Sequence, residues 1–254
     1  MYSLLSRYYD LENAEFTEDL EFWIELAEEH GGPVLELGCG TGRVLLQIAR
    51  RGLAITGVDN SPEMLARLEE KLRATSALGK GGWPAAPTLI NADIQSFSHN
   101  TQYAIALLPF NTFMHLLTLE AQVAALTNIR KHLAAGAPLV LDVVNPVQAY
   151  AAEEQGLTLE RSFADGERTV QQFSQMRLER AAQLAHITWL YDSVGPGGDV
   201  QRLTVPLTLR YTFPAEMRLL LEKCGLTLTH LWGDYDRAPF SDDAPRMIVM
   251  ATAS

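Results

Sequence analysis

Val34-Leu35-Glu36-Leu37-Gly38-Cys39-Gly40-Thr41-Gly42-Arg43-Val44-Leu45-Leu46-Gln47-Ile48-Ala49-Arg50-Arg51-Gly52 is the stretch on which the fold turns. Its first four residues make an apolar run of strand length, and Val44, Leu45 and Ile48 then repeat at helical spacing until the basic pair and Gly52 close the segment. A strand that enters a helix through a glycine turn is the opening unit of a parallel sheet. Glycines at alternate positions let the backbone turn sharply and leave main-chain N–H groups open to a ligand that a Cβ would obstruct. A nucleotide-like ligand is the natural inference from that position.

Outward from this turn, 53–58, 88–90, 103–108 and 138–144 are further apolar runs, read as strands buried on both faces. Ser61-Pro62 starts a helix with Leu65, Leu68 and Leu72 as its buried stripe. Thr118 caps another, which places Leu119, Val123, Leu126 and Leu133 on one face before Gly136. Near the start, Tyr8, Tyr9 and Asp10 precede a helix carrying Phe16, Leu20, Trp23, Ile24 and Ala27, expected to pack over the sheet edge.

The pattern changes after about residue 150. Leu203, Val205, Leu207, Leu209 and Tyr211 alternate with Arg202, Thr204, Thr208 and Arg210, which reads as an antiparallel strand with one wet face, and Pro206 puts it at an edge. Ile187, Trp189 and Tyr191 mark a second strand, 195–198 the turn between the two, and 168–178 a third. Pro214 opens a last helix that Gly225 closes, and strands near 226–232 and 246–252 follow. The expected fold is α/β: a mostly parallel sheet sandwiched by helices (1–150 and 212–254), with a small antiparallel β subdomain (151–211) inserted before the last helix as a lid or a dimer surface.

At 254 residues and 47% hydrophobic, the chain can bury one sizeable core. It has no apolar run of membrane-spanning length and its N-terminus lacks the features of a secretory signal, so a cytoplasmic protein with no membrane partner is expected. Cys39 and Cys224 read as free thiols of a reducing compartment. A formal net charge of -11 argues against a nucleic-acid partner, because phosphate backbones are held mainly by Lys and Arg. The histidines are dispersed, without metal-ligand spacing, and no metal is expected.

A dinucleotide fingerprint spaces its glycines G-x-G-x-x-G, whereas the third glycine here comes one residue early. Asp59 closes the second strand, where a carboxylate can accept from both hydroxyls of a ribose. Asp93 and Ile94 follow the third, where an acid can accept from an adenine amine and an apolar neighbour can cover the ring. An adenosine without a diphosphate fits these features. VLELGCGTGRVLLQIARRG (34–52) and ITGVDNSPEML (55–65) resemble the first two motifs of the class I S-adenosylmethionine-dependent methyltransferases. That resemblance implies a Rossmann-like sheet of seven strands with an antiparallel last strand. It implies S-adenosyl-L-methionine as cofactor, with Glu36, Gly38, Cys39, Gly40 and Gly42 around the methionine part. Asp59 would hold the ribose, Asn60, Met64, Asp93 and Ile94 the adenine, and Leu108 would offer its backbone to the amino group.

Methyl transfer from a sulfonium needs an aligned N or O nucleophile and a dry site, and a base only where the acceptor must lose a proton. His115, in the segment after the fourth strand, is the leading base candidate, and Asn111 either orients the acceptor or caps the short helix that follows. The segment lacks the Asn-Pro-Pro-aromatic signature of enzymes that methylate nucleobase amines or protein amides, which favours a small-molecule acceptor. The chain also resembles the small-molecule N- and O-methyltransferases, including those that dimethylate deoxyaminosugars at nitrogen, in which an N-terminal tyrosine closes over the methionine part; Tyr9 or Tyr8 would be its counterpart. Trp189, Tyr191 and Tyr211 would line an acceptor pocket if their face turns inward, and the 232–237 loop would border it. A nicotinamide-dependent oxidoreductase, a non-catalytic binding protein and an aminopropyl transferase are the competing readings, and a homodimer is compatible with the β subdomain.

Overall fold

The computed structural model describes residues 2–77 and 83–253. The central apolar runs become the parallel strands β1 (Val34–Leu37), β2 (Ile55–Asp59), β3 (Thr88–Asn91), β4 (Ile105–Leu108) and β5 (Pro138–Val144), all in one sheet. The last two strands of the chain, β10 (Leu226–Trp232) and β11 (Arg246–Ala253), complete it, with β11 antiparallel to β5. The seven-stranded order is β10-β11-β5-β4-β1-β2-β3. From β1 the chain moves outward through β2 to β3, then crosses back to β4 on the other side of β1. That reversal opens a crevice at the carboxyl ends of β1 and β4, where sheets of this kind bind ligands.

Successive residues of a strand point to opposite faces, and the two cores follow from that alternation. Leu35 and Leu37 of β1 face one cluster with α5 (Leu119–His132) and α7 (Pro214–Lys223). Val34 faces the other, with α2 (Leu20–His30), α3 (Leu45–Arg50) and α4 (Pro62–Ala77). The expected caps form: Ser61 Oγ accepts from Met64 N at 3.2 Å, and Thr118 Oγ1 from Ala121 N at 3.2 Å. Leu119, in the first turn of α5, alone leaves its expected stripe and is 45% exposed.

The N-terminal region differs from its sequence reading. Tyr8 and Tyr9 lie inside α1 (Tyr2–Glu12), and Phe16 falls in the connection to α2, so the single expected helix is two. The second lies against β4 in the middle of the sheet, not over its edge. Its apolar set is wide enough to bury Phe22, Trp23, Ile24, Leu26 and Ala27 together.

The insertion is a separate antiparallel sheet of β6 (Gln155–Asp165), β7 (Arg168–Glu179), β8 (Leu184–Val194) and β9 (Val200–Arg210), joined in that order. Pro206 sits on the edge strand β9, as its missing donor requires. The β6 strand has no counterpart in the sequence reading, since most of its residues are exposed and little apolar alternation marks it. The wet-face pattern of β9 also fails at its end. Arg210 is 6% exposed and binds Glu216 at 2.6 Å and Gln122 at 3.0 Å, which fastens the insertion to α7 and α5. A further short helix, α6 (Pro146–Ala151), leads from β5 into it.

Gly42 has φ +84°, and a Cβ there would collide with Leu68 of α4. Gly42→Ala is therefore expected to destabilise the protein by about 2–3 kcal/mol through strain and overpacking. A urea denaturation midpoint equal to that of the unsubstituted protein would contradict this close approach.

Candidate active site

A cavity of about 580 Å³ occupies the crevice, with the carboxyl edge of the large sheet as its floor and the inner face of the small sheet as its roof. Two acids anchor the floor. Asp59 accepts from Gly40 N and from Ser61 N, each at 2.8 Å, so the end of β2 holds the glycine turn after β1. Asp93 accepts from Gln95 N at 2.8 Å, which closes the turn after β3. Gly38 has φ +68° and a Cβ there would meet Thr112 Oγ1 at 2.7 Å, so only glycine lets this turn approach the segment after β4.

The segment after β4 carries two successive left-handed residues, Phe110 (φ 57°) and Asn111 (φ 65°), a conformation that costs energy without glycine. Buried Asp142 restrains it by accepting from Phe110 N at 2.5 Å. Asn111 Oδ1 accepts from Val144 N at 2.8 Å, so its side chain braces the turn and does not cap the short 3₁₀ helix Thr112–His115. Asp142 and Asn145 are structural: the first also binds Tyr235 Oη at 2.8 Å and Arg246 at 3.1 Å, the second caps α6.

Of the expected site residues, Tyr9, Glu36, Gly38, Cys39, Gly40, Asp59, Asn60, Met64, Asp93, Ile94, Asn111 and His115 line the cavity. Tyr8, Gly42 and Leu108 do not. Tyr8 is buried against Phe163 and Tyr191, with ring centroids 5.7 and 5.2 Å away, because the side of α1 it occupies faces the insertion. Gly42 serves helix packing, and Leu108 is a core residue of β4. From the insertion Trp189 lines the cavity, whereas Tyr191 and Tyr211 are enclosed in hydrophobic clusters. The 232–237 loop packs away from it on α2, through Tyr235 against Phe22 and Arg237 on Glu29.

Sequence reasoning missed Glu12, Arg43, Arg161 and Gln172, all of which line the cavity. Arg43 is bidentate to Asp19 at 2.5 and 2.7 Å and lies between the rings of Phe16 and Phe110, about 5 Å from each centroid. Trp23 Nε1 donates to the same acid at 3.0 Å. Nothing in the local sequence of Arg43 announces a partner that far back along the chain.

Electrostatically the cavity is rich in buried acceptors. Burial pushes the Glu36 carboxyl up to about 8, against the opposing pull of Arg43. Burial raises Asp59 as well, opposed by its backbone donors. Tyr9 rises to about 12 and His115 falls to about 4, both through burial. Four buried side-chain polar atoms lack a hydrogen-bond partner among the described residues, and three belong to residues lining this cavity: Glu36 Oε2, Gln172 Oε1 and Arg43 Nε. An unpaired buried acceptor costs about 1–3 kcal/mol, which a ligand carrying donors recovers. Of the cations beside the glycine turn, Arg43 is neutralised by Asp19, and Lys71, which donates to Thr41 O, is paired with Asp10, so the floor suits an ammonium and hydroxyl groups and not a diphosphate.

Residues 34–136 match the family model of a methyltransferase domain. Those residues thus form a methyltransferase domain, in a chain whose sheet has the class I methyltransferase fold. It is 25% identical over 221 residues to the cypemycin N-terminal methyltransferase of a Streptomyces species, covering 87% of this chain and 82% of that one. Among solved structures it is similar to the CcbJ methyltransferase from Streptomyces caelestis, with TM-score 0.77, 24% identity and coverage of 95% and 98% of the two chains. It is likewise similar to the sugar N-methyltransferase KedS8 from a Streptoalloteichus species, with TM-score 0.75, 20% identity and coverage of 100% and 92%. The fold of this methyltransferase therefore includes the insertion as well as the matched domain. Among the described residues no group of three or more His, Cys, Asp or Glu is placed to hold a metal ion, and no helix is long and apolar enough to cross a membrane.

Glu36, with its group at about 8, is mostly protonated in the free methyltransferase at pH 7. A cation arriving beside it favours the carboxylate, so binding of S-adenosylhomocysteine is expected to release a proton. Titration calorimetry at pH 7 should then give different heats in phosphate and Tris buffers, and Glu36→Gln should remove the difference. Equal heats for the unsubstituted protein would refute the pairing of Glu36 with the ligand's ammonium.

Proposed function

We propose that this methyltransferase moves a methyl group from S-adenosylmethionine to an amine nitrogen of a small polar acceptor. The observation that carries the reading is the unpaired, buried Glu36 Oε2 at the head of the glycine turn, in one cavity with Asp59 and Asp93. When bound, S-adenosylmethionine supplies an electrophilic methyl group on a sulfonium. Glu36 would take the ammonium of its methionine part, Asp59 the ribose hydroxyls through lone pairs left after its two backbone bonds, and Asp93 the adenine amine. Asn60, Met64 and Ile94 would flank the ring. Gly38, Cys39 and Gly40 contribute the wall along the methionine part.

Tyr9 holds its proton at neutral pH and packs edge-on to Phe110, with centroids 6.4 Å apart, so it closes the cavity without adding charge. His115 stays neutral across the physiological range, which suits it to orient an acceptor by hydrogen bonding and makes it a weak store for a proton. Asn111 sets the wall between the two halves by bracing its strained turn. Residues 151–211 would act as the lid, since the inner face of that layer roofs the cavity and would shield it from water. The amine reading draws on two relatives, one named for an N-terminus and another for a sugar nitrogen.

Incubation with S-adenosylmethionine labelled in its methyl group, across panels of amines, alcohols and carboxylates, should label amines preferentially. Asp59→Ala should weaken S-adenosylhomocysteine binding about a hundredfold, since it removes charged acceptors from both ribose and glycine turn. His115→Ala should slow turnover more than it weakens that binding. Label confined to alcohols or carboxylates would reject the amine reading, and unaltered affinity in Asp59→Ala would reject the ribose assignment.

A further inference from the structure

The roof of the cavity holds a second polar group that the cofactor does not need. Gln172 of β7 is 3% exposed, lines the cavity, and leaves its Oε1 unpartnered. Its Nε2 donates to Tyr191 Oη at 3.1 Å, and Tyr191 Oη donates to Glu12 Oε2 at 2.8 Å. The direction of this chain explains the orphan. Tyr191 spends its only proton on the carboxylate, so its oxygen accepts from the amide nitrogen, and the amide carbonyl must turn elsewhere. Glu12, also on the cavity wall, is held by Asn13 Nδ2 at 3.4 Å, and Arg161 fixes its backbone by donating to Glu12 O at 2.7 Å. An acceptor pair is thus built into the roof from α1 and β7, while Glu36 provides its counterpart on the floor.

Resting on the amine reading above, we infer that Glu12 and Gln172 form the acceptor site: Gln172 Oε1 accepts a hydrogen bond from the acceptor amine, and the Glu12 carboxylate takes the proton that this amine gives up. An alkylammonium has no lone pair, so it must lose a proton before attack. That proton moves to Glu12, the freed nitrogen lone pair forms a C–N bond to the methyl carbon, and the S–C bond breaks with its electron pair passing to sulfur. The sulfonium becomes a neutral thioether and the product leaves as a methylated ammonium, so charge balances; Glu12 then returns its proton to solvent. Burial raises the Glu12 carboxyl above its ordinary range, opposed by the hydrogen bond from Tyr191 and the charge of Arg161, which brings it nearer to the amine it must serve. Tyr191, Arg161 and Tyr9 are the other titratable groups facing it. His115, pushed the other way, is poorly matched to that task.

The test uses the full chain with labelled S-adenosylmethionine and two amine probes, glucosamine and trialanine, with glucose as the hydroxyl control. Glu12→Gln should lower kcat by about a hundredfold or more and abolish the rise of kcat/KM with pH through the Glu12 ionisation, and Glu12→Asp should restore part of both. Gln172→Met should raise the amine KM by about tenfold with a smaller change in kcat, and should weaken glucosamine binding to the S-adenosylhomocysteine complex similarly in calorimetry. Should Gln172→Met not fold, Gln172→Asn, which keeps the amide and shortens its reach, should shift KM in the same direction. In every variant the affinity for S-adenosylhomocysteine should stay within about twofold. If the unsubstituted enzyme labels either amine while the variants match it in KM, kcat and pH profile, the inference fails and the amine reading stands. If the enzyme labels neither amine, or only glucose, both fail together.

Discussion

The carboxylate of Asp59 accepts one N–H from the glycine turn and one from the start of α4, and those two bonds hold the ends of two neighbouring strand-helix units in register. Gly40 could take many conformations in isolation; bound to Asp59 it presents one. Everything on the floor follows from that fixed turn. Glu36 reaches the cavity from the strand below it, Gly38 lets Thr112 approach, and Cys39 packs its side chain back against Gly57. The same carboxylate keeps lone pairs toward the cavity, so one group both shapes the site and offers it an acceptor.

Charge decides what such a site accepts. Glu36, Asp59 and Glu12 all ionise less readily than in water, with burial the leading cause in each. Burying acids without partners is costly, and the molecule tolerates the cost where a ligand's donors will meet them. The contrast with Arg43 is instructive. It too lies on the cavity wall, yet Asp19 and two aromatic rings enclose it, so its charge is already met and is a poor seat for a diphosphate. Specificity for an adenosine without phosphates thus owes as much to a cancelled charge as to the glycine spacing.

The floor was legible in the sequence because its residues sit at fixed offsets from strand ends: Glu36 and the glycines at β1, Asp59 at β2, Asp93 at β3. The parallel sheet was legible for the same reason, as runs buried on both faces need no alternation. The roof was not. Glu12, Arg161 and Gln172 lie on three elements brought together across as many as 149 positions, as between Arg161 and Glu12, and 179, as between Tyr191 and Glu12, and no periodicity encodes such separations. The β6 strand went unread because its exposed faces leave little apolar pattern, and Arg210 was misread because a buried arginine with Glu216 and Gln122 looks, in sequence, like a wet one. Gly42 shows the opposite error: its place in a ligand-binding motif hid a packing role against Leu68.

The first helix ties the two halves of the cavity together. Tyr9 and Glu12 are three residues apart on α1 and so share a face, one beside Phe110 and the cofactor floor, the other on the Tyr191–Gln172 chain of the roof. Tyr8, one residue before Tyr9, is buried in a cluster with Met64 of α4 and Tyr191 of β8. Moving α1 would therefore disturb the floor and the roof of the cavity at once. A site whose two ligands must meet at a single carbon benefits from such a shared strut, because misplacement by about 1 Å can cost a hundredfold in rate. On this argument α1 is the element that makes the floor and the roof of the cavity depend on one another.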